Sequence, residues 1–290
     1  MGTVDVTARV LGDHELALFQ RVIHDQTGIR LPDSKRALIV GRLVGRLREL
    51  GLPSFLEYYR RVRDDEDERV RMLDRILTNE TRFFREPKQF DFLEQRVFPR
   101  WEDAAAEGRR PRRIRVWSAA CSTGEEPYSV AMALMARFPP SSGWEVEVLA
   151  TDLSTRALAA AEQAVWPLAR AKEIPRPYLT AYMLRGRGAA QGRMKASPEL
   201  RRVVRFDRLN LNQATYPVRG PFDLVFCRNV LIYFDAETRA AVVGRLLGHL
   251  AAEGLLILGQ AESLTGRIEA TRSVGPAVFA HARAASQWSG

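Results

Sequence analysis

The first part of the chain carries apolar side chains at helical spacing. After Asp13 they recur every three or four residues until Gly28. Short polar residues such as aspartate commonly cap the start of a helix, and glycine commonly ends one. The same pattern between Pro32 and Leu77 predicts three further helices. We therefore expect an all-helical domain over residues 1–80.

The second of these predicted helices has a basic face. We expect the helix to begin with Asp33 or Ser34 as its cap and to end at Gly51. The face opposite its apolar residues holds five cations, namely Lys35, Arg36, Arg42, Arg46 and Arg48. A solvated face needs no partner, whereas a cationic recognition surface would attract an acidic protein. The pattern alone leaves both interpretations open.

Strands alternate with helices in the rest of the chain. Short runs of β-branched and apolar residues predict strands at 114–118, 146–151, 203–207, 222–227 and 255–259. Helical patterns lie between them at 129–138, 155–165 and 237–250. This alternation predicts an α/β fold with a Rossmann-like, doubly wound and mainly parallel sheet. We expect this domain to span 111–290 and to follow a linker and connecting helix at 81–110.

Residues 166–202 interrupt that alternation. They are rich in proline, glycine and arginine and continue neither pattern. A long insertion in a compact domain is usually functional when it is ordered. We expect an inserted subdomain or a long loop at this position.

The composition indicates the cellular location of the protein and the chemistry that it can use. The 290 residues contain no apolar run of the roughly 18 residues that a membrane-spanning helix needs. The chain also does not start with the charged and then apolar order of a signal peptide. Cys121 and Cys227 lie in apolar stretches, which is typical of a reducing compartment and provides neither a disulfide framework nor metal-ligand spacing. We expect a cytoplasmic protein that uses no metal.

The chain is strongly basic. Its formal net charge of +9 predicts an acidic partner, which includes nucleic acid, an anionic membrane and an acidic protein surface. Charge alone does not distinguish these classes.

Small residues follow the first predicted strand. The segment S-A-A-C-S-T-G-E-E-P-Y-S lets the backbone approach a ligand closely, and it places Glu125 and Glu126 in the opening turn of the next helix. These two carboxylates would repel a phosphate and attract an ammonium or sulfonium group. The segment also lacks the G-x-G-x-x-G pattern of dinucleotide sites. It therefore favours S-adenosylmethionine as the cofactor.

Polar residues follow the later strands as well. Ligands of an open parallel sheet bind beyond the carboxyl ends of its strands. Asp152 ends the second strand and is expected to bind ribose hydroxyls; alternatively it caps the next helix, a role that Ser154 could fill. Asn210–Leu211 and Cys227–Arg228–Asn229 follow later strands, at positions that would reach an adenine edge.

Five segments resemble the signature segments of the bacterial chemotaxis-receptor glutamate methyltransferases. They are T-N-E-T-R-F-F-R (Thr78–Arg85), W-S-A-A-C-S-T-G-E-E-P-Y-S (Trp117–Ser129), T-D-L-S (Thr151–Ser154), F-D-R-L-N-L (Phe206–Leu211) and F-D-L-V-F-C-R-N-V-L-I-Y-F (Phe222–Phe234). They occur in the order of that family, and the resemblance covers essentially the whole chain. It implies methylation of glutamates in the acidic cytoplasmic helices of methyl-accepting chemotaxis receptors, with S-adenosylmethionine as the methyl donor.

The resemblance also implies roles for individual residues. The residues implied to contact S-adenosylmethionine and its product S-adenosylhomocysteine are Asn79, Thr81, Arg85, Glu125 or Glu126, Asp152, Asn210, Leu211, Arg228 and Asn229. Arg85 and Tyr233 are implied to lie beside the methyl-transfer centre. The stretch 166–202 is expected to form an inserted antiparallel β-subdomain that grips the receptor. We also expect a monomer that neither binds nucleic acid nor inserts into a membrane.

The chemistry of glutamate methylation agrees with these residue types. A glutamate with a pKa near 4.3 is ionised at neutral pH, so its attack on a methyl group needs no general base. Alignment is then the main task of the enzyme. Arg85 could hold the attacking carboxylate through a charge-assisted hydrogen bond, and Tyr233 could orient it. The alternatives are a structural ion pair for Arg85 and a core position for Tyr233.

Two other functions compete with this one. A nucleic-acid methyltransferase fits the positive charge, but amino-methylating enzymes of that class usually carry an N/D-P-P-Y/F turn where this chain has Cys227–Arg228–Asn229–Val230. A non-catalytic cofactor-sensing module would be favoured by a degenerate linker, but the segment Thr78–Arg85 is intact. We therefore prefer the glutamate methyltransferase.

Overall fold

The computed structural model describes residues 10–262 and 270–288. The chain divides into two compact units. The helical unit comprises the chain up to Thr78 together with Tyr233–Thr238, and the α/β unit comprises Asn79–Ile232 and the chain from Arg239 onward.

The helical unit contains four α-helices among the residues described. They are α1 (Asp13–Thr27), α2 (Arg36–Glu49), α3 (Phe55–Asp64) and α4 (Glu66–Ile76). Ser54 and Asp65 cap α3 and α4, because their side chains accept backbone N–H groups of the first turns. Gly28 ends α1 in the left-handed conformation with φ of 71°, as predicted.

The predicted caps of the first two helices are wrong. Asp13 is the first residue of α1 rather than its cap, and Asp33 and Ser34 lie in a 3-10 turn (Asp33–Lys35) that precedes α2. Both aspartates instead interact with side chains that are distant in the sequence. The Asp13 carboxylate pairs with Arg36, and the Asp33 carboxylate accepts a hydrogen bond of 2.9 Å from the Gln20 amide.

The core of the helical unit is built around Phe19. Its ring stacks on Tyr58 at a centroid distance of 6.0 Å and meets Phe55 edge-on at 6.2 Å. Ile39 and Leu43 of α2 are fully buried in the same cluster. These residues share one face of each helix, which is the face that their helical spacing predicted.

The basic face predicted on α2 is wrong for two of its five cations. Arg42 is half-buried, and its guanidinium donates to the backbone carbonyls of residues 75, 76 and 77 at 3.2, 2.9 and 2.7 Å. It thereby satisfies carbonyls that the end of α4 leaves unpaired. Arg46 is 16% exposed and donates from Nε to Glu68 Oε1 at 2.9 Å. Of the remaining three, Lys35 and Arg48 are exposed and Arg36 is half-buried beside Asp13.

The segment Tyr233–Thr238 joins the helical unit through its backbone. The Arg30 N–H donates to the Tyr233 carbonyl at 3.0 Å, and Ile29 forms an antiparallel bridge with Phe234. His24 Nε2 lies 3.6 Å from the Asp235 carboxylate. These contacts fix the backbone position of Tyr233 within this unit.

The α/β unit is built on a seven-stranded sheet, counting the strands in the described ranges. Its order is β6-β2-β1-β7-β8-β10-β9, parallel from β6 to β8 and antiparallel in the last two pairs. The strands are β1 (Arg113–Ser118), β2 (Glu145–Asp152), β6 (Val204–Arg208), β7 (Phe222–Cys227), β8 (Leu250–Leu258), β9 (Thr271–Gly275) and β10 (Val278–His281). The helices α7 (Glu125–Arg137), α8 (Thr155–Gln163) and α11 (Ala236–Gly248) connect or follow them. The predicted combination of a helical domain and a Rossmann-like α/β domain is confirmed, although the antiparallel strands β9 and β10 were missed.

The segment that begins at Asn79 packs as part of the α/β unit. It continues into α5 (Pro87–Phe92), a π-helical turn (Leu93–Val97) and α6 (Phe98–Ala106). Its apolar side chains are buried in the same core as β1 and α7, and they include Phe83, Phe90, Leu93, Val97, Phe98 and Trp101. No helix within the described ranges is both long enough and apolar enough to cross a membrane.

The stretch that interrupts the α/β alternation carries a second, three-stranded sheet of order β3-β5-β4. Its strands are antiparallel and comprise β3 (Val165–Pro167), β4 (Met183–Arg185) and β5 (Arg193–Ala196). A 3-10 turn (Leu168–Glu173) and α9 (Arg176–Tyr182) lie between β3 and β4, and α10 (Pro198–Arg202) follows β5. Trp166 and Met194 anchor this inserted sheet in the core of the α/β unit.

The buried Glu68 generates a test of the helical unit. Its carboxylate accepts hydrogen bonds from Arg46 and from the Tyr58 hydroxyl, the latter at 3.0 Å, and its side chain is 1% exposed. Breaking a buried ion pair leaves one charge unpaired and costs roughly 3 kcal/mol or more. We expect Glu68→Gln to lower the free energy of unfolding by that amount in urea titrations. Amide hydrogen exchange in α2–α4 would assign the loss to this unit.

The matched control is Glu66→Gln in the exposed first turn of α4, for which we expect a loss below about 1 kcal/mol. Burial opposes ionisation of Glu68, but hydrogen bonds from Arg46 and Tyr58 lower its pKa below the usual value. Its contribution is therefore present above the unfolded pKa, near 4.3, and is lost as pH falls through the lower folded value. Equal stability of the two variants would contradict the assigned role.

Candidate cofactor site

The carboxyl ends of β1, β2 and β7 meet at one edge of the main sheet. The chain crosses from β1 to β2 on one side and pairs β1 with β7 on the other, so this edge is a topological switch point. The loop after β1 is held to both neighbours, since the Ala119 N–H donates to the Phe226 carbonyl at 2.7 Å and the Cys121 N–H to the Thr151 carbonyl at 3.0 Å. Open α/β sheets bind their ligands at such a point.

The loop after β1 adopts a backbone that only certain residues allow. Gly124 has φ of 94°, and a Cβ atom there would lie 2.9 Å from the Ala161 side chain. Ser122 also has a positive φ, of 51°. The Ser122 N–H donates to Asp152 Oδ2 at 2.8 Å, so the carboxylate that ends β2 holds this loop in place.

Asp152 is not the cap of α8. The N-cap residue is Ser154, whose hydroxyl accepts the Ala157 N–H at 3.1 Å. Asp152 Oδ1 instead accepts the Ser154 N–H at 2.9 Å, just before the helix. The carboxylate is therefore fixed by two backbone amides, and it lies half-buried at the end of β2.

Glu125 is one of two buried carboxylates at the start of α7. Its Oε1 accepts from Arg170 Nη1 at 2.7 Å, and its Oε2 accepts from the Thr123 hydroxyl at 2.6 Å. Burial raises the pKa of Glu125, and the positive charge of Arg170 acts in the opposite direction. Sequence analysis did not identify Arg170, because its partner lies 45 residues away in the chain.

Glu126 has a separate set of partners. Its Oε1 accepts from the Ser118 hydroxyl at 2.7 Å, and its Oε2 accepts from Arg228 Nη1 at 3.1 Å. Arg228 Nη2 also lies 3.4 Å from Glu86 Oε2, and its side chain is 2% exposed. Burial raises the pKa of Glu126, while Arg228 favours its ionised form. The Arg228 guanidinium is thus occupied by two carboxylates.

The predicted residues of the Thr78–Arg85 segment lie close to this edge. The Asn79 carbonyl accepts from the Ser122 hydroxyl at 2.9 Å, and the Thr81 carbonyl accepts from Arg170 Nη2 at 2.5 Å. Arg85 donates to the Glu80 carbonyl at 3.4 Å, and within the described ranges its guanidinium forms no ion pair. The alternative of a structural ion pair for Arg85 therefore has no partner among these residues.

Asn210 and Leu211 follow β6. Asn210 Oδ1 accepts the Asn212 N–H at 2.9 Å and shapes a tight turn. Leu211 is 6% exposed, and its carbonyl accepts from the Tyr216 hydroxyl at 2.7 Å. Leu211 is therefore a buried apolar residue next to the polar Asn210 and Asn212.

Asn229 follows β7 with φ of 59°, and the buried Glu262 holds it. The Glu262 carboxylate accepts the N–H groups of Asn229, Leu231 and Gly259 at 2.8, 2.7 and 2.7 Å. Sequence analysis missed Glu262, although it follows β8 and the same reasoning about strand ends would have drawn attention to it.

Tyr233 is placed in the helical unit by the contacts of its backbone. The residue is 37% exposed, so it is not a core aromatic.

The residues present fit S-adenosylmethionine. The side-chain oxygens Asn79 Oδ1 and Asn229 Oδ1 are buried and have no hydrogen-bond partner within the part of the chain that the structure describes. A buried oxygen without a donor is costly, so a ligand that carries amine and hydroxyl donors would satisfy both. Residues 10–262 and 270–288 contain no group of three or more histidine, cysteine, aspartate or glutamate side chains that could hold a metal ion.

Comparison with known families agrees with this site. Residues 14–77 match the profile of the CheR methyltransferase all-alpha domain, and residues 79–278 match that of the CheR methyltransferase S-adenosylmethionine-binding domain. The chain belongs to the CheR methyltransferase family. It is therefore a methyltransferase of the chemotaxis system that uses S-adenosylmethionine, and the nucleic-acid alternative is not favoured.

Individual relatives cover nearly the whole chain. Chemotaxis protein methyltransferase 2 of Pseudomonas aeruginosa is 38% identical over 91% of this chain and 92% of its own. The chemotaxis protein methyltransferases of Salmonella typhimurium and Escherichia coli are 35% and 37% identical over 93% and 88% of this chain, and over 91% and 86% of their own. The predicted recognition, enzyme class and cofactor are thereby confirmed.

Arg228 provides a test of the site's electrostatics. Its removal would leave the carboxylates of Glu126 and Glu86 without their shared cation, and an unpaired buried charge costs roughly 3–5 kcal/mol. We expect Arg228→Ala to lower the free energy of unfolding of the cofactor-free protein by that amount in urea titrations. The control is Arg219→Ala at an exposed position, with an expected change within about 0.5 kcal/mol. If both variants were equally stable, Arg228 would not be the counterion of this site.

Proposed function

We propose that the protein transfers the methyl group of S-adenosylmethionine to glutamate side chains in the acidic cytoplasmic helices of methyl-accepting chemotaxis receptors, forming glutamate methyl esters. The observation that carries this proposal is a half-buried arginine, Arg85, that lacks an ion pair within the described ranges and lies in the same segment as Asn79 and Thr81. A guanidinium without a carboxylate partner can receive one from a substrate. The relatives' names, which describe chemotaxis protein methyltransferases, support the same conclusion.

The cofactor would be held by groups from each strand end. Glu125 or Glu126 would receive the ammonium group of its methionine part, and Asp152 would accept hydrogen bonds from the ribose hydroxyls. Asn79 and Asn229 would supply their buried side-chain oxygens. The proposed set is completed by Thr81, Arg85, Asn210, Leu211 and Arg228. The cofactor supplies an electrophilic methyl group on a sulfonium.

The chain's own residues would then align the nucleophile. A substrate glutamate is ionised at neutral pH, so no residue has to remove a proton from it. Arg85 would hold one oxygen of that carboxylate, and Tyr233 would orient it through its hydroxyl. The absence of a histidine or cysteine from the proposed set is consistent with this chemistry.

Receptor docking would use exposed cations. Lys35 and Arg48 remain exposed on the helical unit, and the inserted sheet exposes Arg185, Arg193 and Lys195. Such charges attract an acidic helix over distances of about 10 Å at moderate salt. The three cations of the inserted sheet support the predicted receptor-gripping role of 166–202. In this proposal the enzyme acts as a cytoplasmic monomer that neither binds nucleic acid nor inserts into a membrane; the buried, unpaired thiols of Cys121 and Cys227 suit a reducing compartment.

The proposed reaction is tested by following the methyl group. Purified protein is incubated with S-adenosylmethionine labelled in its methyl group and with the cytoplasmic domains of receptors from the same organism. We expect label on the receptor that mild base releases as methanol, because a methyl ester hydrolyses in base whereas methylated amines do not. The control is a receptor whose labelled glutamates, once mapped, are replaced by glutamine. Base-stable label, or label transferred to nucleic acid instead, would contradict the proposal.

Arg85 is tested by separating catalysis from cofactor binding. If Arg85 holds the attacking carboxylate, Arg85→Ala should slow single-turnover methylation roughly 10- to 100-fold at saturating cofactor, which is the loss of one charge-assisted hydrogen bond. Its affinity for S-adenosylhomocysteine should change much less. Arg85→Lys should rescue poorly, because it lacks the planar fork of a guanidinium.

The matched control is Arg82→Ala, at an exposed arginine of the same segment. Rates and affinities that fall in parallel, with recovery at high cofactor concentration, would assign Arg85 to the cofactor alone. Normal rates in both Arg85 variants would remove it from catalysis.

A further inference from the structure

Arg170 joins three parts of the α/β unit. It lies in the 3-10 turn Leu168–Glu173, directly after β3 of the inserted sheet. Its guanidinium donates to the Glu125 carboxylate at 2.7 Å, to the Thr81 carbonyl at 2.5 Å and to the Glu173 carboxylate at 3.1 Å. The side chain is 27% exposed. One guanidinium therefore links the insertion to two of the proposed cofactor-binding residues.

Glu173 completes the same link from the other end of the turn. Its Oε2 accepts the Phe83 N–H at 3.1 Å, so the turn holds a backbone carbonyl and a backbone N–H only two residues apart, at Thr81 and Phe83. The Phe83 ring meets Trp166 of β3 edge-on at 5.0 Å. These contacts connect the inserted sheet to the segment that begins at Asn79.

The net charge around Glu125 favours the binding of one more cation. Its carboxylate faces Arg170 and Glu173 from the 3-10 turn, and the thiol of Cys121, whose pKa burial raises well above the usual value. Two carboxylates against one guanidinium leave one net negative charge. A carboxylate has about four lone-pair positions, so Glu125 can accept further hydrogen bonds beside those from Arg170 and Thr123.

We propose that Arg170 is a positioning residue for methyl transfer, which holds the ionised Glu125 and the Thr81 backbone in place to receive the ammonium group of the cofactor. This inference rests on the proposed role of Glu125 in cofactor binding. Arg170 acts through Glu125 and Thr81, and it makes the inserted subdomain part of the cofactor site as well as a candidate receptor contact.

Removing the cation should make cofactor binding depend on pH. Burial raises the pKa of Glu125, and the Arg170 charge opposes that effect, so loss of Arg170 should raise this pKa further. Protonated Glu125 cannot pair with an ammonium group. Affinity for the cofactor should therefore be lost as pH falls through the raised pKa, whereas a merely structural defect would weaken binding equally at every pH.

The experiment measures binding of S-adenosylhomocysteine by calorimetry between about pH 6 and about pH 8.5. For Arg170→Met we expect affinity to fall at least about tenfold between the upper and the lower pH, against about threefold or less for the unmodified protein. Arg170→Lys restores the positive charge and should restore the flat profile. The matched control is Lys172→Met, an exposed cation of the same turn, which should leave the profile unchanged.

Glu125→Gln separates this inference from the function on which it rests. If Glu125→Gln binds S-adenosylhomocysteine normally, Glu125 is not a cofactor ligand and the proposed site fails. If Glu125→Gln binds S-adenosylhomocysteine weakly while the affinity of Arg170→Met does not change with pH, only the proposed role of Arg170 is overturned. A loss of affinity in Arg170→Met that is equal at every pH overturns that role as well. Circular dichroism of each cofactor-free variant checks folding. Should Arg170→Met not fold, Arg170→Gln is measured in its place and the same outcomes apply.

Discussion

Carboxylates at the carboxyl edge of the sheet must be kept charged in surroundings that disfavour charge. Glu125 and Glu126 are buried at the start of α7, and Asp152 is half-buried at the end of β2. A buried charge persists only where a cation or several donors compensate for lost hydration. Each carboxylate is stabilised by different partners: Glu125 pairs with Arg170, Glu126 pairs with Arg228, and Asp152 accepts two backbone N–H groups. The same pairings assemble the site, because they join the insertion, the end of β7 and the loop after β1.

The fold and most of the candidate site were predictable because they depend on short-range patterns. The strand β7 was predicted with its observed bounds, and the small residues before α7 were recognised because close backbone approach excludes large side chains. The ends of parallel strands necessarily lie together, so Asp152 and Asn229 could be placed at one edge without knowledge of any contact. Local sequence is sufficient wherever the secondary structure itself dictates the neighbours.

Most of the errors in charge placement have one cause, which is competition from partners that are distant in the sequence. Asp13 has the right chemistry for a helix cap but pairs with Arg36, and Arg46 has the spacing of a solvent-facing residue but pairs with Glu68. Arg170 was missed for the same reason, since its partners lie far away in the chain. The strand β9 was missed because its Thr-Arg-Ser-Val-Gly sequence has no apolar alternation and it pairs only at the edge of the sheet. Helical spacing shows which face a residue occupies but not which charge it will meet.

Several residues with positive φ lie in the loops that form the candidate cofactor site. Phe84, Ser122 and Asn229 have φ values of 48°, 51° and 59°, which side-chain-bearing residues adopt at a cost of about 1–3 kcal/mol each.

In all three cases the residue's own N–H donates to a side-chain oxygen from another element. The acceptors are Ser129 Oγ at 2.9 Å, Asp152 Oδ2 at 2.8 Å and Glu262 Oε2 at 2.8 Å. A hydrogen bond to a charged acceptor contributes roughly 1.5–3 kcal/mol, which is of the size needed to offset such strain. Two of these acceptors are carboxylates at strand ends, so the negative charge that suits a sulfonium cofactor also holds the loops in the conformation that would receive it. If the proposed function is right, Asp152 would serve both cofactor binding and loop geometry.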